Sequence, residues 1–193
     1  EAEQDALFLT NARLRRRYPY DSEIKKIVES KELTNRYFSK YLVRPWCVNE
    51  EISREAFKEM FRNSTGVVFK PVFGLQGRGV EAFRFEEIDP DAAFDTIKGY
   101  ERGVIEELVV QHEALNRFNP RCVNTIRFMS VSSCTKPVTA DGRMMDVATA
   151  TVKLGGSDTV VDNLHLSGGV CAAVDLETGE IITDGVGWDG KVY

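Results

Sequence analysis

Apolar positions recur at three- and four-residue spacings in SEIKKIVES and REAFKEMF, the period of a helix with one buried stripe, and Ser53 is placed to cap the second run. Between them, TNRYFSKYLVRPWCV predicts another short helix that Pro45 ends. From Gly66 the pattern changes. GVVFK is compact and β-branched, VEAFRF alternates, DPDAAFDTIK carries a proline at a helix start, and RGVIEELVV returns to strand. The runs VNTIRFMSVSS, MMDVATATVKL, GGVCAAVDL and EIITDGV follow, separated by turn chemistry at TADGR, LGGSD and ETGE. Strands joined by such short turns favour an antiparallel sheet. The pattern predicts an α+β fold in three parts: a mainly helical lead over 1–65, a small mixed α/β subdomain over 66–108, and a larger antiparallel-sheet subdomain over 109–193. The last two are expected to face each other across a cleft.

Composition narrows the function classes. The 193 residues suffice for one well-buried core or two smaller ones. A net charge of -5 argues against broad attachment to nucleic acid or to anionic membranes, which attract basic surfaces. Arg13, Arg15, Arg16 and Arg17 are a local exception that reads as a solvated helix face. Cys47, Cys122, Cys134 and Cys171 form no C-x-x-C pair, so neither a zinc knuckle nor a compact disulfide framework is suggested, and reduced thiols in a cytoplasm are expected. No apolar run approaches the roughly 20 residues that span a bilayer, so no membrane insertion is expected, and EAEQDALF lacks the features of a signal peptide. The sequence stops at WDGKVY directly after strand-like residues, which reads as a truncated chain.

The candidate chemistry begins in KPVFGLQGRGV. Lys70 ends a strand, Pro71 breaks the ladder, and Gly74, Gly77 and Gly79 let the backbone turn and approach a ligand closely. Backbone N–H groups in such a loop can point at phosphate oxygens, and the lysine adds a point charge. The segment is not a G-x-x-x-x-G-K-[ST] loop, and the strand-like VEAFRF after it excludes a dinucleotide fingerprint. Strand, glycine loop and strand imply a flap over a nucleoside triphosphate.

Taken in series, KPVFGLQGRGV, VIEELVVQHEAL, NPRCVNTIRFMSV and VVDNLHLSGGVCAAVDLETGEI resemble the ATP-grasp superfamily, and within it the sugar-transfer associated ATP-grasp proteins. The resemblance runs from about Leu33 to Gly187. It implies ATP and magnesium as cofactors, with Lys70 on the α- and β-phosphates and the three glycines closing over the triphosphate. Glu106, Glu107, Leu108 and Val109 match the linker whose backbone reads the adenine edge, and Gln111, His112 and Glu113 fall where ribose contacts occur. Arg36, or alternatively Lys40, matches a basic residue near the phosphates. Arg127 matches a catalytic arginine for a γ-phosphate or carboxylate, with Asn124 beside it. Physical reasoning supports that role, because a guanidinium offers paired donors and alternation should project Arg127 from one strand face. His165 is a candidate for positioning substrate or moving a proton, and Asp162 with Asn163 for magnesium. An Asx turn capping a strand accounts for that last group equally well.

One element of the superfamily pattern is missing. No E-x-N follows Asp162, and Asp175, Glu177 and Asp184 sit in what reads as an ordinary turn. The expected function is a carboxylate ligase acting through an acyl phosphate on a small carboxylate or sugar-linked substrate, provided that a metal-site strand exists beyond Tyr193. A phosphotransferase and a nucleotide-binding module without turnover remain open.

Overall fold

A computed structural model describes residues 21–75, 77–133, 135–156, 160–162, 164 and 168–193. The basic cluster at Arg13 to Arg17, Cys134, Asn163 and His165 lie outside the described residues. Helices Ser22–Glu29 (α1) and Lys31–Tyr37 (α2) lead, followed by a single 3-10 turn at Ser39–Tyr41. Each helix is capped by a side chain. Asp21 accepts from the Glu23 and Ile24 N–H groups, and Ser30 from that of Leu33, meeting donors that have no partner within the helix.

Strand Trp46–Val48 (β1) emerges directly after Pro45, where the sequence pattern had resolved only a helix end. Helix Arg54–Met60 (α3) then starts at Ser53, whose hydroxyl accepts from Ala56 N–H at 3.2 Å. Strands Gly66–Pro71 (β2) and Glu81–Arg84 (β3), helix Pro90–Lys98 (α4) and strand Gly103–Glu107 (β4) complete the first unit. Its sheet is antiparallel throughout, in the order β1-β4-β2-β3.

The core of this unit follows from two periodicities. Phe57 on α3 and Phe61 at its C-cap lie one turn apart, and Ala93, Phe94 and Ile97 make the matching stripe on α4. Val67 and Phe69 on β2, Phe83 on β3 and Ile105 on β4 alternate inward to meet them. One sheet face is thereby sealed under two helices. The opposite face carries Val68, Lys70, Ala82, Arg84 and Glu106, with Val68 paired to Glu106 and to Ala82.

Asn49, 1% exposed, anchors the turn between α4 and β4. Its amide donates to the carbonyls of Ile97, Tyr100 and Glu101, and its oxygen accepts from Gly103 N–H. A buried amide with its groups paired in this way holds the backbone path of the turn.

The chain leaves β4 through a linker and a short helix, Glu113–Asn116 (α5), into a second antiparallel sheet. Strands Thr125–Ser132 (β5), Met145–Leu154 (β6), Val170–Val174 (β7) and Val186–Gly187 (β8) lie in sequence order. The run EIITDGV contributes an isolated bridge at Ile181 and the start of β8 rather than a full strand. Hydrophobic burial is sparser here, with Ala150, Val152 and Ala172 buried while every residue of β5 is exposed. No helix among the described residues is long and apolar enough to cross a membrane.

Candidate nucleotide site

Lys70 and Glu106 come together because β2 and β4 are antiparallel neighbours. Glu106 stands opposite Val68, which places it diagonal to Lys70 on the same sheet face. The ammonium donates to Glu106 Oε2 at 2.7 Å, with side chains 27% and 11% exposed. Arg44 approaches the same oxygen at 3.5 Å, and Asn35 on α2 donates to the other at 3.1 Å. Burial pushes the Glu106 carboxyl up, but the Lys70 charge and the bonds from Lys70 and Asn35 outweigh it and hold the group below its ordinary value.

Beside this pair lies a cavity of about 200 Å³, lined by Val68, Val80, Leu108, Val109, Val123, Val160 and Val161, with Arg44, Lys70, Thr125 and Asp162 at its polar margins. Apolar walls with a few convergent polar groups are the usual make-up of a small-molecule site. A second cavity of about 370 Å³ lies around the same linker, where Arg84, Glu86 and Arg121 meet Leu108 to Gln111.

The glycine loop joins β2 to β3 and reaches across to the second unit. At Gly77 φ is +74°, and a Cβ there would come within 2.5 Å of Val161 Cγ2. Only glycine satisfies both the left-handed backbone and the contact. Lys31, at the start of α2, donates to Gly74 O at 3.0 Å, and its N–H donates to Val72 O. Desolvation and the nearby Lys70 charge hold the Lys31 ammonium below its usual value, with Glu106 opposing them. Lys31 is therefore the helical cation brought to Lys70 and the loop. Arg36 instead pairs with Glu32 and Glu51 and lies over Trp46, while Lys40 lies over Tyr41.

The linker divides its work. Glu107 N–H is taken by Pro45 O, Leu108 N–H by Gly66 O, and Glu107 O accepts from Arg44 at 3.3 Å, while Ser64 donates to the Glu107 carboxylate. Val109 lines both cavities. Gln111 donates to Asn116 Oδ1 and to the carbonyls of Asn119 and Cys122, and its oxygen accepts from Asn124. Asn124 also bonds Leu115 O, Asn119 O and Gly155 N–H, and no bond runs from it to Arg127. These two amides knit the linker to the second sheet. His112 caps α5, its Nδ1 accepting from Ala114 N–H, and Glu113 opens that helix on the surface.

Arg127 stands on β5 opposite Thr151, and Thr125 opposite Lys153. Asp162 accepts from Lys153 at 3.2 Å and from the Thr125 hydroxyl. No group of three histidine, cysteine, aspartate or glutamate side chains that could hold a metal ion is present among the described residues. Asp162 is engaged by Lys153 and Thr125, and its proposed magnesium partner Asn163 lies outside the described residues. Asp175 accepts from Glu177 N–H and Thr178 N–H, as expected for a turn.

Lys31, Arg44 and Lys153 escaped the sequence reading. Lys31 lies between the two runs that read as helix, and Arg44 directly before the proline that ends the second. Lys153 had a signal, since Thr149, Thr151 and Lys153 alternate with Ala150, Val152 and Leu154.

Helices with two antiparallel sheets joined by a linker make an ATP-grasp-like fold. The family model for sugar-transfer associated ATP-grasp proteins matches residues 9–187, and the chain belongs to that family. It is an ATP-binding ATP-grasp protein. No curated protein matches the chain in sequence.

Proposed function

We propose that the chain contributes the nucleotide clamp of an ATP-dependent carboxylate ligase that acts through an acyl phosphate in surface-sugar or related biosynthesis. The observation that carries this reading is the Lys70 and Glu106 pair at the edge of the valine-lined slot, with the Gly77 hairpin closed onto Val161. A cavity of about 200 Å³ lies below the ~300 Å³ of an ordinary ligand pocket, so it suits a base, leaving ribose and phosphates to run along the open sides. Glu106 and Lys70 supply an acceptor and a donor toward a purine edge. The Leu108 carbonyl and the Val109 N–H supply the linker's backbone edge, since the Glu107 and Leu108 N–H groups are committed. Lys31 and the glycine loop then cover the phosphates.

In the reaction, a substrate carboxylate oxygen attacks the γ-phosphorus, the bond to the β-phosphate oxygen breaks, and ADP leaves. An amine or thiol next attacks the acyl carbon, loses its proton and releases inorganic phosphate. Arg127 would neutralise charge on the transferring group. Magnesium would enter with the nucleotide. A cytoplasmic location fits the ATP requirement and the free thiols of Cys47 and Cys171.

The test is calorimetric titration with ATP, followed by ADP release across a panel of sugar acids and amino acids with hydroxylamine present. Acid-dependent ADP release with a hydroxamate product supports the ligase. ADP release with phosphate on a hydroxyl would make the protein a phosphotransferase, and ATP binding without turnover would make it a binding module.

A further inference from the structure

Helix α2 has two working sides. Lys31 and Asn35, one turn apart, meet the nucleotide site, the first donating to Gly74 O and the second to Glu106. Leu33 and Tyr37 follow them by two residues each, about 200° further round the helix, and both are exposed. Phe38 and Tyr41 continue that surface past the helix end, with ring centroids 5.0 Å apart for Tyr37 and Phe38 and 6.5 Å for Phe38 and Tyr41. Tyr41 is 67% exposed and Val43 97%. Helix α1 adds Ile24 and Val28, one turn apart and exposed, and buries none of its residues. Single exposed apolar side chains are ordinary, but a contiguous group of rings marks a surface that meets something.

The charge of this segment is opposite in sign to that of the chain. Positions 11–45 hold ten lysines and arginines against four aspartates and glutamates, while the whole chain is at -5. Part of the excess is committed within the protein: Lys31 and Arg44 serve the nucleotide site, and Arg36 pairs with Glu32 and Glu51. Lys40 instead places its ammonium 4.8 Å over the Tyr41 ring, a cation at the edge of the aromatic group. Arg13, Arg15, Arg16 and Arg17 stand shortly before α1 in the sequence.

We propose that the segment up to Val43 docks the protein peripherally on an anionic lipid bilayer, with Tyr37, Phe38, Tyr41 and Val43 at headgroup level and the arginine run on the lipid phosphates. Tyrosine suits that depth because its ring is apolar and its hydroxyl polar, and basic residues beside an amphipathic helix add attraction to anionic headgroups. The acidic remainder of the chain is repelled by the same surface, which orients the molecule. Because Lys31 and Asn35 lie on the far side of α2, docking leaves the nucleotide cleft open. The inference does not depend on the ligase reading, since lipid binding requires no turnover.

Flotation of the 193-residue chain with vesicles tests it. Phosphatidylcholine alone is compared with an equal mixture of phosphatidylcholine and phosphatidylglycerol, and the native chain is expected to float with the mixture only. Each basic residue near an anionic surface is worth about fivefold in binding, so Arg15→Gln with Arg16→Gln should weaken it about twenty-fivefold, an effect that shrinks as salt is raised. Tyr37→Ser with Tyr41→Ser should weaken it about tenfold through lost apolar contact. Val43→Glu sets a carboxylate against the headgroups and should cost about fivefold or more. Arg143→Gln, at an exposed arginine paired with Asp141 on the turn before β6, should stay within about twofold.

Failure of the native chain to float with the anionic mixture would overturn the proposal, as would equal binding to both vesicles. Arg143→Gln weakening binding as much as the Arg15 and Arg16 pair would show general electrostatic adhesion instead of a docking face. If the tyrosine pair does not fold, Val43→Glu decides, because a side chain so exposed carries no packing; unchanged binding in it removes the face. Sedimentation without lipid supplies the remaining outcome. A dimer of the native chain that Val43→Glu dissociates would assign the surface to a second copy and overturn the bilayer.

Discussion

The ammonium of Lys70 and the carboxylate of Glu106 meet at 2.7 Å across neighbouring antiparallel strands, and Arg44 and Asn35 close on the same carboxylate from outside the sheet. Glu106 thus sits among two cations and an amide while being 8% exposed. A carboxylate held this way is preorganised and can accept from a ligand donor without first shedding bulk water.

Removing Glu106 takes away the carboxylate that Lys70 donates to, and removing Lys70 leaves Glu106 to Arg44 and Asn35 alone. Glu106→Gln keeps the volume but loses the charge, and about 1–3 kcal/mol of stability is expected to go with it. Lys70→Ala is expected to weaken ATP by tenfold or more, on the scale of about 1.5–3 kcal/mol for hydrogen bonds to charged groups. Chemical denaturation and calorimetric titration measure the two effects. Unchanged ATP affinity in Lys70→Ala would take that lysine out of the site.

The pH dependence has a definite sign. The folded-state pKa of Glu106 is held below its ordinary value of 4.5. A depressed carboxylate contributes stability that is fully present above the unfolded value and lost as pH falls through the folded one. The stability gap between the native chain and Glu106→Gln should therefore be flat above about pH 5 and shrink at lower pH. Denaturant midpoints across this range check it. A gap that grows toward acid contradicts the assignment.

Burial pushes the Cys47 thiol up to about 12, with the Lys98 charge opposing. The thiolate is the reactive form, so Cys47 should resist iodoacetamide at pH 8 in the folded chain and react on unfolding. Mass-spectrometric mapping of the label checks this. Early labelling at Cys47 would show that β1 opens locally.

Much of this was legible in the sequence because it is local. Ser53 announced its helix by chemistry a few residues away, and VVFKP followed by glycines announced strand and loop. The partners of Lys70 were not legible. They depend on which strands pair and in what register, and nothing near position 70 names Glu106 or Asn35. Gln111 and Asn124 show the same limit from the other side. The resemblance drew them toward the nucleotide, and in the fold their amides are committed to the Asn119 and Leu115 carbonyls and to each other. Residue type was readable where the partner was not.

Asn49 is a case in which type alone hid the role. Asn49→Ala leaves the carbonyls of Ile97, Tyr100 and Glu101 and the N–H of Gly103 without their shared partner. Water can reach some of these, so the expected cost is about 2–4 kcal/mol rather than the full sum. Thermal and denaturant unfolding measure it. A cost within ~0.5 kcal/mol, the range of an ordinary surface substitution, would show that the turn holds without the amide.

Gly77 tests the lid separately from the charges. Gly77→Ala meets two obstacles, the left-handed φ of +74° and the Val161 side chain at 2.5 Å. Gly142 has a similar φ of +84° with nothing near its missing Cβ, so Gly142→Ala reports the backbone penalty alone. That penalty is about 1–2 kcal/mol. If the hairpin must rest on Val161 to cover the phosphates, Gly77→Ala weakens ATP several-fold while Gly142→Ala leaves ATP affinity unchanged. Val161→Ala in the Gly77→Ala background removes both clashing methyl groups and should recover part of the lost affinity, while the backbone penalty persists. Calorimetric titration of the three variants makes the comparison. Equal ATP affinity in Gly77→Ala and Gly142→Ala would mean that the contact between the loop and Val161 does not shape the site.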